Sequence, residues 1–336
     1  MTRTTGSVVW IDWARNLRTR TLAQRLGVDL VEIRVSGNRL LRYLRSAAHT
    51  LGEIRRRRPD VVIATNPSLA LGFFLLLLRR WFGFALVSDA HYVGVRALHG
   101  GALFQRLLDF HNSRVDLVIV TNDGHASYLL GLGCRAYVCP DPLPDLSSRG
   151  SVPVSLAAKS AFLVCSFETD EPYETVFAAF ERLHAGGYQL YVSGNYRRAQ
   201  VDPARFPWVR FLGYVPEAEY YSYLRSCSLV VDLTTLEDCL LCGAYEALAA
   251  GKPLVLSRTR ALSAYFGAAA VLTENAPEAI AVHVEQAYTQ RGELTRKIAD
   301  WVGANERYMG ERIATLRGEL AALSGGRRVP ELVDLE

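Results

Sequence analysis

Three acids in one short stretch carry the clearest chemical signal in this chain: Glu237, Asp238 and Glu246, within LVVDLTTLEDCLLCGAYEALAAGKPLVLS, residues 229–257. The stretch reads as a buried strand, a turn holding Glu237 and Asp238, a helix carrying Glu246, a Gly251-Lys252-Pro253 stop and a second buried strand. Open parallel sheets bind ligands outside the carboxyl ends of their strands, where a helix N-terminus offers N–H groups and a positive dipole end. Acids and small residues gather at such places. Asp89 and His91, in Ser88-Asp-Ala-His91, follow another buried strand and so stand at a carboxyl-end crevice of their own. Either residue type can be tuned to act as a general base. Asn66-Pro67 and Thr121-Asn122 end two further strands and are expected to line the same crevice.

The run Glu246-Ala-Leu-Ala-Ala-Gly-Lys-Pro253, with an acid eight or nine positions upstream, resembles the sugar-nucleotide site of GT-B glycosyltransferases of the E-x7-E type. The resemblance implies that Glu246 holds the ribose hydroxyls of the donor nucleotide. For the first acid it leaves two candidates: Asp238 keeps the seven-residue gap, while Glu237 has the matching residue type one position further away. Residues 161–180 resemble the first strand and helix of the donor domain, where such enzymes set an Arg and a Lys on the donor diphosphate; here those positions hold Ser166 and Glu171. Substitutes for the clamp are Arg197 and Arg198, in Ser193-Gly-Asn195-Tyr-Arg-Arg198, and the backbone N–H groups around Leu241, Gly243 and Ala244. Gly213-Tyr214 resembles the turn that contacts the nucleotide base. By the same resemblance, His91 and its neighbour Asp89 face the sugar and the acceptor.

The elements that must position these residues are legible as an alternation of short β-branched runs with longer helical patterns, the signature of a parallel α/β sheet. Expected strands in the first half are 8–12, 30–35, 61–64, 84–88, 117–121 and 137–139; in the second, 161–166, 189–193, 209–212, 229–232, 254–256 and 270–272. Between the halves, Pro140-Asp-Pro-Leu-Pro-Asp145 and a Ser-rich stretch read as a linker, since proline does not continue a central strand. A long helical tail, about residues 293–323, carries Trp301, Tyr308, Leu316 and Leu320 as packing positions. The expectation is therefore α/β, with two Rossmann-like domains, residues 1–148 and 149–303. The resemblance adds GT-B architecture, with the domains facing a central cleft and the helix at about 304–325 crossing back onto the first. Gly131-Leu-Gly133-Cys-Arg-Ala136 fits a dinucleotide pattern, but it follows a helix and precedes a strand; that order marks a helix end.

Net charge is +4, unevenly spread: residues 1–148 hold 19 Arg against 11 acids, and residues 149–336 hold 19 basic residues against 23 acids. The surplus lies in the first 60 residues, with Arg39, Arg42 and Arg45 at helical spacing and a run from Arg55 to Arg58. It reads either as a solvated arginine face or as a surface for anions such as lipid headgroups and polyprenyl phosphates. Residues 68–87, SLALGFFLLLLRRWFGFALV, are apolar enough to approach a span, but Arg79 and Arg80 split them. They read as a buried helix and strand, or as a helix resting on a membrane interface. The six cysteines are irregularly spaced and Cys239-Leu-Leu-Cys242 has no partner pair to complete a zinc site, so they read as buried structural thiols in a reducing cytoplasm.

The resemblance makes this an enzyme, a glycosyltransferase moving a sugar from a UDP- or GDP-linked donor to a hydroxyl of a lipid-linked or cell-envelope polysaccharide acceptor. It further implies no cofactor and no metal, there being no D-x-D motif. Peripheral contact with the inner membrane face is expected from the charge and the apolar helix, and no nucleic-acid partner, since no recognition motif accompanies the arginines. The rival readings are a noncatalytic GT-B scaffold of a glycan-biosynthesis complex and a nucleotide-sugar epimerase on the same fold.

Overall fold

The computed structural model describes residues 7–66, 68–98 and 101–325. The chain forms two compact units, one made of residues up to Pro142 together with the chain from Tyr308, the other of Leu143–Arg307. Pro67, of the Asn66-Pro67 pair, lies outside the described residues.

In the first unit, β1 (Val8–Asp12), β2 (Asp29–Glu32), β3 (Val61–Asn66), β4 (Ala85–Ala90), β5 (Leu117–Val120) and β6 (Ala136–Val138) form one parallel sheet in the order β2-β1-β3-β4-β5-β6. Its helices are α1 (Leu17–Leu26), α2 (Arg39–Arg57), α3 (Leu69–Phe82), α4 (Tyr92–Val95), α5 (Gly101–Asn112) and α6 (Asp123–Gly131). β3 and β4 are buried along their whole length, as expected for strands covered on both faces. α3 turns Leu71, Leu75 and Leu78 into the cluster with Ile54 and Phe84, then ends on Gly83, whose φ of 69° only glycine adopts cheaply. Its other side is open, with Leu77 and Trp81 on the surface. Residues 68–87 are thus neither wholly core nor wholly surface. No helix among the described residues is long and apolar enough to cross a membrane.

The second unit repeats the plan with β7 (Lys159–Leu163), β8 (Tyr188–Ser193), β9 (Val209–Gly213), β10 (Leu229–Asp232), β11 (Leu254–Ser257) and β12 (Val271–Thr273), ordered β12-β11-β10-β7-β8-β9. Around it lie α7 (Tyr173–His184), α8 (Glu217–Ser226), α9 (Cys242–Ala249), α10 (Arg260–Phe266) and α11 (Pro277–Thr289). The last helix, α12 (Arg291–Gly325), gives Leu294 and Ile298 to the second unit's cores. Farther along, Met309, Ile313, Leu316 and Leu320 complete the first unit's core beside Trp10 and Leu22. Tyr308, expected to pack, is 37 % exposed; its neighbour Met309 takes the fully buried place.

Two local expectations are revised. The proline-rich crossover is no loose linker: Pro140, Pro142, Leu143 and Pro144 are buried, and Leu143 belongs to a core of the second unit. The cysteines are not all buried either, since Cys242 is exposed on the first turn of α9 and Cys239 is half-buried. Gly133, by contrast, has φ 76° just past α6, the helix-end conformation expected of it.

Candidate active site

Each sheet reverses its strand order once, between β1 and β3 and between β10 and β7, and the crevice for a ligand belongs at those points. In the second unit the loops that leave the carboxyl ends of the strands are tied to one another. Gly194, at φ 108°, lies so close to the Cys165 carbonyl that a side chain has no room, and its N–H donates to the Gly213 carbonyl at 2.9 Å. Thr234 Oγ1 donates to Asp170 at 2.9 Å, and its N–H to Ser257 Oγ at 2.9 Å. These bonds and the Gly194–Cys165 contact link the loops in order from β9 through β8, β7 and β10 to β11. Ser166, Asn195, Arg197, Arg198, Gly213 and Tyr214 all lie in or next to these loops.

Within that ring the expected residues have definite surroundings. Glu246 is half-buried, and its two carboxylate oxygens accept from Tyr220 Oη at 2.6 Å and Tyr221 Oη at 2.9 Å. Burial pushes its pKa up, while the two phenols and Arg149 pull it back. Both tyrosines are raised in turn, first by burial and then by the carboxylate they bond. Asp238 is held by the Arg260 guanidinium at 2.7 and 2.8 Å, and Glu237, exposed, accepts from the Arg260 backbone N–H at 2.9 Å. These two acids therefore brace the start of α10, and neither hangs free over the site.

The clamp positions are bonded to each other. The Glu171 carboxylate accepts from the N–H of Ser166 at 3.0 Å, from Ser166 Oγ at 2.9 Å and from the N–H of Glu168 at 2.9 Å. Phe167 between them has φ 62°, so the turn is a small concavity of N–H groups of the kind that receives anions, filled by the chain's own carboxylate. Arg198 lies 3.5 Å from Glu168, and Arg197 stacks on Tyr196 with both arginines exposed. Asn195 Oδ1 accepts from the Arg198 N–H at 3.3 Å and shapes that loop. Tyr214 is 92 % exposed beyond β9, a free aromatic face at the sheet's edge.

At the turn into α9, Leu241 is the N-cap, half-buried. Ala244 corrects an expectation: its N–H serves the Leu241 carbonyl at 3.2 Å and the buried Asp232 carboxylate, so it is spent inside the protein. Gly243 is there because nothing larger fits, a Cβ meeting Asp232 Oδ2 at 2.5 Å and Val164 Cβ at 2.8 Å. Gly243→Ala is expected to destabilise the fold by about 1–3 kcal/mol through overpacking, read as a lowered denaturant midpoint; an unchanged midpoint would refute the close fit. Asp232 is buried with Oδ2 unpartnered, and burial, then Glu171 and Glu246, raise its pKa well above the ordinary value. An acid with a raised native pKa costs stability as pH rises above its unfolded value, because the folded state must hold either a proton or a buried charge. Asp232→Asn is therefore expected to melt higher than wild type at pH 8, the gap closing as pH falls toward 4; equal melting points at pH 8 would sink this account.

In the first unit, sequence reasoning missed the residue that organises the crevice. Arg18, in the first turn of α1, is buried and grips Asp89, with Nη2 2.8 Å and Nε 3.1 Å from Oδ1; Nη2 also donates to the Cys139 carbonyl and Nη1 to Asp141. Burial opposes the Asp89 charge, but Arg18 and His91 outweigh it and hold its pKa down to about 2. Asp89 is 0 % exposed, so it does not meet a substrate as a base. His91 does reach the surface, its side chain 24 % exposed, with Nε2 3.5 Å from Asp89 Oδ2. Asn66, Thr121 and Asn122, expected to line a cleft, are instead buried braces: Asn66 Nδ2 donates to the Gly94 carbonyl, and Asn122 Oδ1 caps α6 by accepting from the His125 N–H. No signal in the sequence marked Arg18, Asp141, Tyr220 or Tyr221, whose partners lie far along the chain. Among the described residues no group of three His, Cys, Asp or Glu side chains could hold a metal ion.

Residues 8–139 match the model of the glycosyl transferase 4-like domain and residues 159–290 that of the glycosyl transferases group 1. Among curated proteins none matches this sequence. Among solved structures, HepE of Anabaena in complex with UDP-glucose is similar at 13 % identity and TM-score 0.69, covering 96 % of this chain and 100 % of its own. Sucrose-phosphate synthase of Thermosynechococcus elongatus is similar at 17 % identity and TM-score 0.73, over 94 % of this chain and 99 % of its own. A putative UDP-N-acetylglucosamine 2-epimerase of Listeria monocytogenes is similar at 14 % identity and TM-score 0.62, over 98 % and 99 %. At these identities the likeness is one of fold.

Proposed function

Because this chain belongs to the glycosyl transferase 4-like and group 1 family, with the GT-B fold, we propose that it moves a sugar from a UDP- or GDP-linked donor to an acceptor hydroxyl. The acceptor we read as a lipid-linked or cell-envelope glycan at the inner membrane face. The observation that carries the donor reading is Glu246, fixed by two tyrosine hydroxyls at the strand-order reversal of the second sheet. Each carboxylate oxygen has two lone pairs, so the bonds from Tyr220 and Tyr221 leave one on each oxygen for ribose hydroxyls.

In this reading Arg197 and Arg198, exposed beside the Ser166 turn, meet the diphosphate together with the first turn of α9, and no metal or cofactor takes part. Tyr214 stacks on the base across from Gly213. Leaving-group charge is stabilised by those fixed donors as the sugar departs. On the acceptor side, His91 takes the hydroxyl proton at the ring nitrogen opposite Nε2, which faces Asp89; Asp89, locked by Arg18, positions the ring and stabilises its charged form. The support for that role is the pairing of a partly exposed His with a buried carboxylate that stays ionised down to about pH 2.

A second reading is favoured by one observation. The turn expected to hold the diphosphate is already filled by the Glu171 carboxylate, which suits a noncatalytic scaffold of a glycan-biosynthesis complex. Thermal shift with UDP and GDP on wild type and Glu246→Ala separates the two. A nucleotide at about 100 times its Kd stabilises by about 2.7 kcal/mol, so the donor reading expects a shift of several degrees that vanishes in the variant. Absence of any shift in wild type would replace it with the scaffold reading. Conversion of the nucleotide sugar with no acceptor added would make the protein an epimerase.

A further inference from the structure

The residues of the first two turns of α2, 39–45, are all exposed. The helix is real there, since Asn38 Oδ1 caps it by accepting from the Leu41 N–H at 2.9 Å. Its inward face begins at Tyr43, whose ring lies 6.1 Å from that of Trp13, and continues through Ser46, Thr50 and Ile54. At about 100° per residue, Leu40, Leu41 and Leu44 fall together on a sector turned away from that face, Arg45 and Arg42 fall between the leucines and the inward face, and Arg39 shares the azimuth of Ser46 and Thr50. Leu40 is 70 % and Leu44 59 % exposed, which no folding requirement of the first unit explains. The next helix of the same layer, α3, packs on α2 and presents Leu77 and Trp81 outward, while Arg55, Arg56 and Arg58 crowd the far end of α2.

A protruding amphipathic turn with leucines on one sector and arginines outside it has the composition of a helix that lies in a membrane interface, apolar side chains among the acyl chains and guanidinium groups at the headgroups. We propose that the start of α2 is the surface by which this protein docks on a bilayer rich in anionic lipid. The arginines decide the occupant: a neutral bilayer or an apolar protein groove would gain from the leucines alone, whereas the three arginines on the same exposed turns gain only from negative headgroups. The inference deepens the membrane-face reading above and rests on it; the donor reading is independent of it.

The test is flotation of the full-length protein with vesicles of phosphatidylcholine alone or mixed with phosphatidylglycerol. Wild type is expected to float with the mixed vesicles only, and to be released by salt. The triple variant Arg39→Gln, Arg42→Gln, Arg45→Gln is expected to bind about a hundredfold more weakly, each arginine near a charged surface being worth about fivefold. The double variant Leu40→Ser, Leu44→Ser is expected to lose at least about tenfold, with the UDP thermal shift unchanged in both. Mixed-vesicle binding that neither variant weakens would overturn this surface while leaving membrane contact standing. No binding to any vesicle overturns both. Equal binding to neutral vesicles overturns the anionic preference, and a wild-type dimer made monomeric by the leucine variant would assign the stripe to a second copy of the chain instead.

Discussion

Replacing Arg18 with methionine is expected to lower the unfolding free energy by about 3–5 kcal/mol, the cost of leaving a buried carboxylate without its partner. Arg18 is sealed in the first unit, and Asp89, its main partner, has no access to water. The guanidinium is itself held charged well above its ordinary range by Asp89 and Asp141 against the opposing effect of burial. Chemical denaturation at pH 7 reads the loss, and a change below about 1 kcal/mol would show the pair to be dispensable. The pH dependence gives a second check. Asp89 has its pKa depressed from 3.8 to about 2 on folding, so its contribution is present above pH 4 and is lost as pH falls toward 2. That difference corresponds to roughly 2 kcal/mol. Wild type should therefore lose stability across that acid window, and Asp89→Asn, already lacking the charge, should lose less there. A His91→Ala variant should keep nearly all the stability and lose the acceptor chemistry, because His91 touches the network from outside.

Removing the hydroxyls that hold Glu246 is expected to weaken donor binding about 10- to 100-fold, with the turnover of bound donor little changed. The double variant Tyr220→Phe, Tyr221→Phe leaves the carboxylate in place but without the bonds at 2.6 and 2.9 Å that orient it. A charge-assisted hydrogen bond is worth about 1.5–3 kcal/mol, and about 1.4 kcal/mol is tenfold in affinity. The signature is a raised KM for the nucleotide sugar, or a raised Kd for UDP or GDP by calorimetry, at nearly constant kcat. Equal loss of kcat would move Glu246 from donor binding to the chemical step. Unchanged affinity would remove it from the site. Since burial raises the Glu246 pKa above that of an ordinary glutamate, donor affinity should also begin to fall at a higher pH than 4.5 on acidification, and Tyr220→Phe, Tyr221→Phe should move that fall higher still, the phenols being what pull the pKa down.

Arg18 and Glu246 were disclosed unequally by the sequence. The alternation of β-branched runs and helical patterns located the strands of both sheets, with ends shifted by a few residues, because strand and helix periods are local and the parallel strands here are buried on both faces. The strand-turn-helix around Glu246 was legible for the same reason: an apolar run ending in acids and small residues, then a helix closed by Gly251 at φ 66°, spans fewer than 30 residues.

What side chains meet was not legible. Arg18 reaches Asp89 across 71 residues and Asp141 across 123, and that meeting depends on the sheet order β2-β1-β3-β4, which sets the start of α1 over the end of β4. Glu246 finds its tyrosines on α8, some 25 residues earlier, only because β7 and β10 are neighbours in the sheet and bring both helices to one layer. Glu171 filling its own turn, Asp238 tied to Arg260, and leucines left bare at the start of α2 belong to the same class. Sequence periodicity determined which residues could form elements and which ends of those elements could bind. Tertiary structure decided which charges are spent on each other and which remain for a ligand, since an ion pair or a buried hydrogen bond is set by distance in space and by exclusion of water, and neither is written in spacing along the chain.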